Sequence, residues 1–213
     1  MKIGVPKETL SGETRVALIP ALLAAFAKDK HELLIERNAG ADSSHFDEEY
    51  AKAGGRIVNS VATLYAESEI TLRVQPPTLE EAEQLREGSS YIGFLAPLIH
   101  RDVIRTFLKR RITSYSVEYV PRITRAQSMD ALSSMANIAG YKAVLLAAEK
   151  VDKIFPMMMT AAGTIPPSIV LVLGAGVAGL QAIATAKRLG AKVEAFDPRA
   201  AVKEQVKSVW ATF

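Results

Sequence analysis

Six residues near the carboxyl end of the chain have the types and spacing that phosphate recognition requires. They form a G-x-G-x-x-G turn: Gly174, Ala175, Gly176, Val177, Ala178 and Gly179. The first glycine permits a tight bend, the second lets the backbone approach a pyrophosphate, and the third lets the following helix pack close to the strand. N–H groups of the first helical turn then face the phosphates, helped by the helix dipole. The turn therefore predicts a bound dinucleotide.

The flanking segments strengthen this prediction. An apolar strand from Ile169 precedes the turn, Leu180 to Gly190 is patterned as a helix, and a second strand begins at Ala191 and ends at Asp197. Asp197 lies about 20 residues past the glycines, the interval at which an acid accepts hydrogen bonds from the adenosine ribose. The acid favours NAD(H), whereas Arg199 is the counter-argument, because an arginine here can hold a 2′-phosphate. The competing interpretation is close packing by the glycines without a ligand.

A second polar group lies in the middle of the chain, where a loop enters a predicted helix. Its members are Arg122, Arg125, Gln127, Asp130, Ser133 and Ser134. The last four recur at helical spacing, which predicts that they share one face. Guanidinium, amide, carboxylate and hydroxyl groups together suit a nicotinamide carboxamide and ribose. On composition alone, N-capping and a solvated first turn explain them better, since capping is common.

Bulk composition excludes several classes of function. The net charge of +3 comes from 26 basic and 23 acidic residues that are mixed along the chain, so no nucleic-acid partner is predicted. The chain has no cysteine, which excludes disulfides and thiolate chemistry. No charged residue occurs between Lys153 and Lys187, but prolines and glycines interrupt that stretch. We therefore expect a buried strand and helix there, and no membrane span.

Strand and helix patterns alternate along the chain, which predicts a mostly parallel sheet with helices on both faces. The predicted fold class is α/β: an N-terminal Rossmann-like or flavodoxin-like parallel-sheet domain, followed by an incomplete Rossmann NAD-binding domain. The predicted boundaries are residues 1–125 for the first domain, 126–150 for a connecting helix, and 151–213 for the first βαβ unit of the second. One long helix is expected from Ala126 to Lys150, and a linker from Phe155 to Pro167.

Several strings closely resemble one protein family. They are Arg122 to Tyr141, Ala161 to Pro167, the glycine turn, and Lys203-Glu-Gln-Val206. The resemblance is to the NAD(H)-binding component (alpha subunit, domain I) of proton-translocating nicotinamide nucleotide transhydrogenase. The N-terminal strings Lys2 to Glu8 and Glu13 to Ala17 are shared with its relatives, the alanine dehydrogenases.

The resemblance implies roles for the polar groups. The loop matching Arg122, Gln127 and Asp130 reaches over the nicotinamide site in that family, so these three are the expected catalytic residues. The position matching Ser133 holds the nicotinamide end. The positions matching the glycine turn and Asp197 carry the pyrophosphate and the adenosine ribose.

The resemblance also implies a reaction and partners. A hydride passes between NAD(H) on this component and NADP(H) on a partner component, coupled to proton movement through a membrane-spanning component. The implied assembly is a homodimer on the cytoplasmic, or matrix-equivalent, face of the membrane, peripheral to it through its partners. Hydride transfer needs no acid or base on the protein, so the task of the chain is positioning.

Departures from the family leave two alternatives open. Alanine dehydrogenases use an arginine, a lysine and a histidine, and the matching positions hold Arg15, Gln75 and Ala96. An alanine dehydrogenase-like oxidoreductase is thus the first alternative. The family also continues into more strands, and it commonly has glycine where this chain has Trp210. A truncated, non-catalytic binding fragment is therefore the second alternative, and we expect this chain alone to be inactive.

Overall fold

The computed structural model describes residues 1–209 and 212, so Trp210 lies outside the described residues. The chain divides into two compact units, Met1–Met129 and Asp130–Phe213. Each unit has its own hydrophobic core. The two units are described separately below.

The first unit is a six-stranded parallel sheet. Its strands are β1 (Lys2–Val5), β2 (Glu32–Glu36), β3 (Arg56–Val58), β4 (Ile70–Leu72), β5 (Ser90–Gly93) and β6 (Thr113–Ser116). The strand order is β3-β2-β1-β4-β5-β6, with every neighbouring pair parallel. This is the Rossmann order, which distinguishes it from the flavodoxin order 2-1-3-4-5. The predicted α/β class is confirmed, and the chain reverses its direction of winding between β1 and β4.

Helices cover both faces of this sheet. They are α1 (Leu23–Lys28), α2 (Asp47–Lys52), α3 (Val61–Glu67), α4 (Leu79–Gln84) and α5 (Arg101–Lys109). Within β2, Leu34 packs in one buried cluster, while Leu33 and Ile35 pack in another. Successive side chains of a strand point to opposite faces, so the alternation shows a core on each side. The predicted capping box begins α4, where Thr78 and Glu81 exchange hydrogen bonds.

The second unit contains α6 (Ala131–Lys150), β7 (Met158–Thr160), β8 (Gly163–Ile165), β9 (Ile169–Leu173), α7 (Val177–Arg188), β10 (Lys192–Phe196) and α8 (Lys203–Ser208). Strands β9 and β10 are parallel, with Ile169 opposite Lys192 at one end and Leu173 opposite Phe196 at the other. Helix α6 is long and apolar enough to span a membrane by those two criteria alone. In the structure it packs along α7.

Two predictions about this region are wrong. The helix expected from Ala126 begins at Ala131, because Asp130 is its N-cap and accepts a hydrogen bond from the Ser133 N–H at 2.9 Å. An N-cap residue has non-helical backbone angles, so the preceding segment, Thr124–Met129, is a separate 3-10 helix.

The expected linker from Phe155 to Pro167 also contains structure. Strands β7 and β8 form an antiparallel hairpin within it, with Thr160 opposite Gly163. The two-residue connection lacks the Asn-Gly or Asp-Gly signal that usually marks such a turn. Instead, the Thr160 hydroxyl donates to the Gly163 carbonyl at 3.1 Å and accepts from the Ala162 N–H at 3.2 Å.

The two-stranded sheet of β9 and β10 is covered on one face only. Val193 and Ala195 are buried against the helices, together with Ile183 of α7. On the other face, Leu173 is 75% exposed, and Ile169, Leu171 and Phe196 are also exposed. Parallel strands are normally covered on both faces. The described residues of this unit therefore leave one sheet face open, apolar along β9 and at Phe196 but with Lys192 and Glu194 on β10, and we call it the open face of β9 and β10.

Candidate functional site

The connection from β9 to α7 is a tight glycine turn. Gly174 has φ +97°, in the left-handed region that glycine adopts without a steric penalty. Gly176 is the N-cap of α7, and a Cβ atom placed on it would meet no described atom within 4 Å. The backbone is therefore open to approach at Gly176, which is the property a phosphate cradle needs.

The third glycine has a different structural reason. A Cβ atom on Gly179 would collide with the carbonyl oxygen of Gly174. The first turn of α7 thus lies directly on the turn that precedes it, and only glycine permits this approach. Helix α6 approaches α7 just as closely, because a Cβ on Gly140 of α6 would collide with the Ala178 carbonyl. Both glycines fix the start of α7 by backbone contact.

The start of α7 is suited to bind an anion. Within the described part of the chain no side chain caps this helix, and Val177, its first residue, is exposed. The first N–H groups of a helix have no partner within the helix and carry its partial positive charge. Together with the open backbone at Gly176, they fit the pyrophosphate of a dinucleotide.

Asp197 follows β10 and is tied directly to the glycine turn. Its side chain is 3% exposed and accepts the buried Ala175 N–H at 2.8 Å. It also accepts the Arg199 backbone N–H at 2.9 Å. The Arg199 guanidinium and these two N–H groups hold the pKa of the carboxyl far below its usual range. Asp197 is therefore an ionised acceptor at the head of the turn.

Arg199 forms a bidentate ion pair with Asp197. Its Nε donates to Oδ1 and its Nη2 to Oδ2, both at 2.9 Å. The hydrogen bonds to the carboxylate raise the pKa of this guanidinium. Sequence reasoning identified both residues at this strand end as separate candidates, but it did not predict that they pair.

Ser133 lies in the first turn of α6, next to the start of α7. It lines a groove of about 490 Å³ together with other residues of the second unit. The lining residues are Ser133, Ser134, Asn137, Val177, Leu180, Gln181, Ala184 and Val209. The second unit thus brings Ser133 and Val177 to one groove.

Gln127 and Ser133 do not share a helix face as the spacing predicted. Gln127 belongs to the 3-10 helix Thr124–Met129, whereas Ser133 belongs to α6, and the break at Asp130 separates them. Asp130 has the capping role that composition alone favoured. Arg122 and Gln127 are exposed residues of the first unit, and among the described residues their side chains form no hydrogen bond.

A further cluster lies at the carboxyl edge of the six-stranded sheet. Glu13 accepts the Arg15 guanidinium at 2.6 and 2.8 Å and the Gln75 side-chain amide at 2.6 Å. The Glu13 side chain is 6% exposed, and these hydrogen bonds lower its pKa to about 2, chiefly that from Arg15. Gln75 also lines a cleft of about 740 Å³. Sequence reasoning singled out Arg15 and Gln75 but missed Glu13, which joins them.

Ala96, the other position compared with the alanine dehydrogenases, is held by a different acid. Its N–H and that of Leu95 donate to the Glu118 carboxylate. Ala96 has φ +41°, in the left-handed region. Sequence reasoning missed Glu118, and its position 22 residues away in the chain gives no local signal for the contact.

The Glu13 contacts predict how stability depends on pH. Because the folded pKa is about 2 and the ordinary value is 4.5, ionised Glu13 stabilises the folded state above about pH 4.5, and this contribution disappears as the pH falls towards 2. In urea unfolding, Glu13→Gln should be less stable than the unchanged chain at pH 6, and the difference should shrink by pH 3. Exposed Glu83→Gln is the matched control. A difference that stays constant with pH would contradict the prediction.

Comparison with known proteins places the chain in a family. It matches the alanine dehydrogenase/PNT N-terminal domain over residues 4–139 and the alanine dehydrogenase/PNT C-terminal domain over residues 143–213. The chain belongs to the alanine dehydrogenase/PNT family. It is 47% identical to an NAD(P) transhydrogenase subunit alpha protein of Rhodospirillum rubrum, over 100% of this chain and 57% of the relative.

Solved structures of two members of this family have the same fold as this chain. The chain superposes on a transhydrogenase from Sinorhizobium meliloti with a TM-score of 0.96 and 43% identity, covering 100% of this chain and 64% of that one. An L-alanine dehydrogenase matches with a TM-score of 0.88 and 25% identity, covering 99% of this chain and 58% of that one. The transhydrogenases are the nearer of these family members, and the chain spans little more than half the length of the curated relative it matches.

Proposed function

We propose that this chain is the NAD(H)-binding part of a proton-translocating NAD(P) transhydrogenase. The observation that carries the proposal is the glycine turn with Asp197 bound to its Ala175 N–H, in a chain 47% identical to a transhydrogenase alpha-subunit protein. Gly174–Gly179 would hold the pyrophosphate, and Asp197 the adenosine ribose, with Arg199 beside it. Ser133, in the groove beside Val177, would contact the nicotinamide end.

A nucleotide held by these residues would supply a hydride for transfer to NADP⁺ bound on a partner component. The residues of this chain act by positioning, since such a transfer needs no protein acid or base. Arg122, Gln127 and Asp130 are the residues that we propose to act in hydride transfer, by positioning. We also propose a homodimer that lies on the cytoplasmic, or matrix-equivalent, face of the membrane and is attached through the membrane-spanning component.

Titration calorimetry with NADH and NADPH tests this proposal. We expect NADH to bind more tightly, because a 2′-phosphate would lie beside the Asp197 carboxylate. NADPH binding as tight as NADH binding would contradict the assignment. A transfer assay with the NADP(H)-binding component, using NADH and an NADP analogue, then separates binding from catalysis.

One observation favours a second candidate, a fragment that binds without catalysis. The open face of β9 and β10 presents Ile169, Leu171 and Leu173, and an apolar surface of this kind promotes association. We expect the isolated chain to be oligomeric or aggregation-prone and not to catalyse transfer. Light scattering and the transfer assay test both points. A stable monomer that turns over NADH would contradict this candidate.

The alanine dehydrogenase alternative has weaker support. Glu13 already neutralises Arg15, and Gln75 and Ala96 provide neither acid nor base at neutral pH. An assay with alanine and NAD is expected to show no turnover.

Gln127 offers a separate test of the roles proposed for the loop. Its exposed side chain forms no hydrogen bond among the described residues, so Gln127→Asn should leave the melting temperature within a few degrees. In the assembled transhydrogenase, the same change should slow transfer to NADP(H). Asp130→Ala is the contrasting variant and should cost about 1 kcal/mol of stability, because it removes the N-cap of α6. A stability loss for Gln127→Asn with an unchanged rate would contradict the proposed role.

A further inference from the structure

The Asp197 carboxylate has no spare hydrogen-bonding capacity in the structure. Oδ2 accepts the Ala175 N–H at 2.8 Å and the Arg199 Nη2 at 2.9 Å. Oδ1 accepts the Arg199 backbone N–H and Nε, both at 2.9 Å. A carboxylate offers about four lone-pair sites. All of them are used, so a sugar hydroxyl can donate to Asp197 only if one of these donors leaves.

The four donors differ in how easily they can leave. The Ala175 N–H belongs to the glycine turn and is buried, and the Arg199 N–H is fixed by the chain just after Asp197. The Arg199 side chain, by contrast, is 63% exposed. The carboxylate is buried, but the guanidinium end of the pair reaches solvent, so water can solvate the guanidinium when it separates from Asp197. The guanidinium is therefore the donor that can be replaced.

We infer that Arg199 is a displaceable counter-ion that competes with the adenosine ribose for Asp197 and thereby sets nucleotide affinity and selectivity. This inference rests on the proposed nucleotide site. An arginine at this position could instead hold a 2′-phosphate and so favour NADPH. If the guanidinium turned to a 2′-phosphate, the Asp197 carboxylate would lose its counter-ion next to a second anion, so Arg199 does not reverse the preference for NADH.

Calorimetry on the full chain with NADH and NADPH tests the inference. Arg199→Ala should bind NADH about two- to fivefold more tightly, because the ribose no longer has to displace a guanidinium that is itself exposed to solvent, and should bind NADPH more weakly. Arg188→Ala is the matched control, because it removes one exposed arginine at the end of α7. Arg188→Ala should weaken the binding of both nucleotides slightly, through loss of positive charge alone. Circular dichroism verifies that each variant is folded.

A double-mutant cycle with Asp197→Asn separates the possible outcomes. In that background the ion pair is absent, so adding Arg199→Ala should no longer tighten NADH binding. The inferred competition would be contradicted if Arg199→Ala bound NADH with unchanged or lower affinity. It would also be contradicted if Arg199→Ala raised NADH affinity equally in the Asp197→Asn background. If neither the unchanged chain nor Arg199→Ala binds NADH, the proposed function fails and the inference fails with it. If the unchanged chain prefers NADH but Arg199→Ala does not alter its affinity, only the inference fails.

Discussion

Gly176→Ala is expected to weaken NADH binding by at least about tenfold without unfolding the protein, since hydrogen bonds to charged groups contribute roughly 1.5–3 kcal/mol each. The added methyl group meets no described atom within 4 Å, and Gly176 does not have a positive φ. The fold therefore accepts alanine. The methyl group would instead occupy the space through which a pyrophosphate approaches the backbone. Calorimetry and thermal unfolding of the same sample measure both effects.

Gly179→Ala serves as the control, because it is expected to lower the stability of the fold, which Gly176→Ala should leave intact. Its methyl group would collide with the Gly174 carbonyl, so the start of α7 must shift away from the turn. We expect a loss of about 1–3 kcal/mol in the free energy of unfolding, as for other overpacked sites. Gly176→Ala binding NADH with unchanged affinity would contradict the phosphate site. Equal stability losses in the two variants would contradict the distinct structural roles of the two glycines.

Asp197→Ala is expected to narrow the preference for NADH over NADPH by about tenfold, because a lost hydrogen bond to a charged acceptor costs about 1.5–3 kcal/mol. NADH loses its acceptor for the ribose hydroxyls, while NADPH loses a repulsive carboxylate. The variant should also melt at a lower temperature, because the buried Ala175 N–H loses its partner. Calorimetry with both nucleotides measures the preference.

Asp197→Asn is the matched control, because it keeps the shape of the Asp197 side chain and removes only its charge. The amide oxygen can still accept the Ala175 N–H, so its melting temperature should fall less than that of Asp197→Ala, while the negative charge is removed in both. Both variants should therefore lose selectivity. An NADH preference that survives in both would mean that Asp197 does not contact the adenosine ribose.

Features set by short stretches of chain were predictable from the sequence. The order of strand, glycine turn, helix and strand from Ile169 to Asp197 was confirmed, because apolar periodicity and glycine conformational freedom act over a few residues. The capping box at Thr78 was confirmed for the same reason. The start of the long helix was predicted less well, since the carboxylate of Asp130 decided where α6 begins.

Tertiary structure decided the contacts between distant residues. The Glu13 carboxylate meets Gln75 62 residues away, and Gly140 lies against Ala178 in a different helix. Sequence spacing carries no information on such contacts, because they depend on how strands and helices pack. The pairing of Arg199 with Asp197 is close in sequence, yet it also needs the bend after β10 to turn the guanidinium back onto the carboxylate. The sequence by itself determined the local elements and the candidate residues, whereas packing determined which of those residues meet and which are already satisfied.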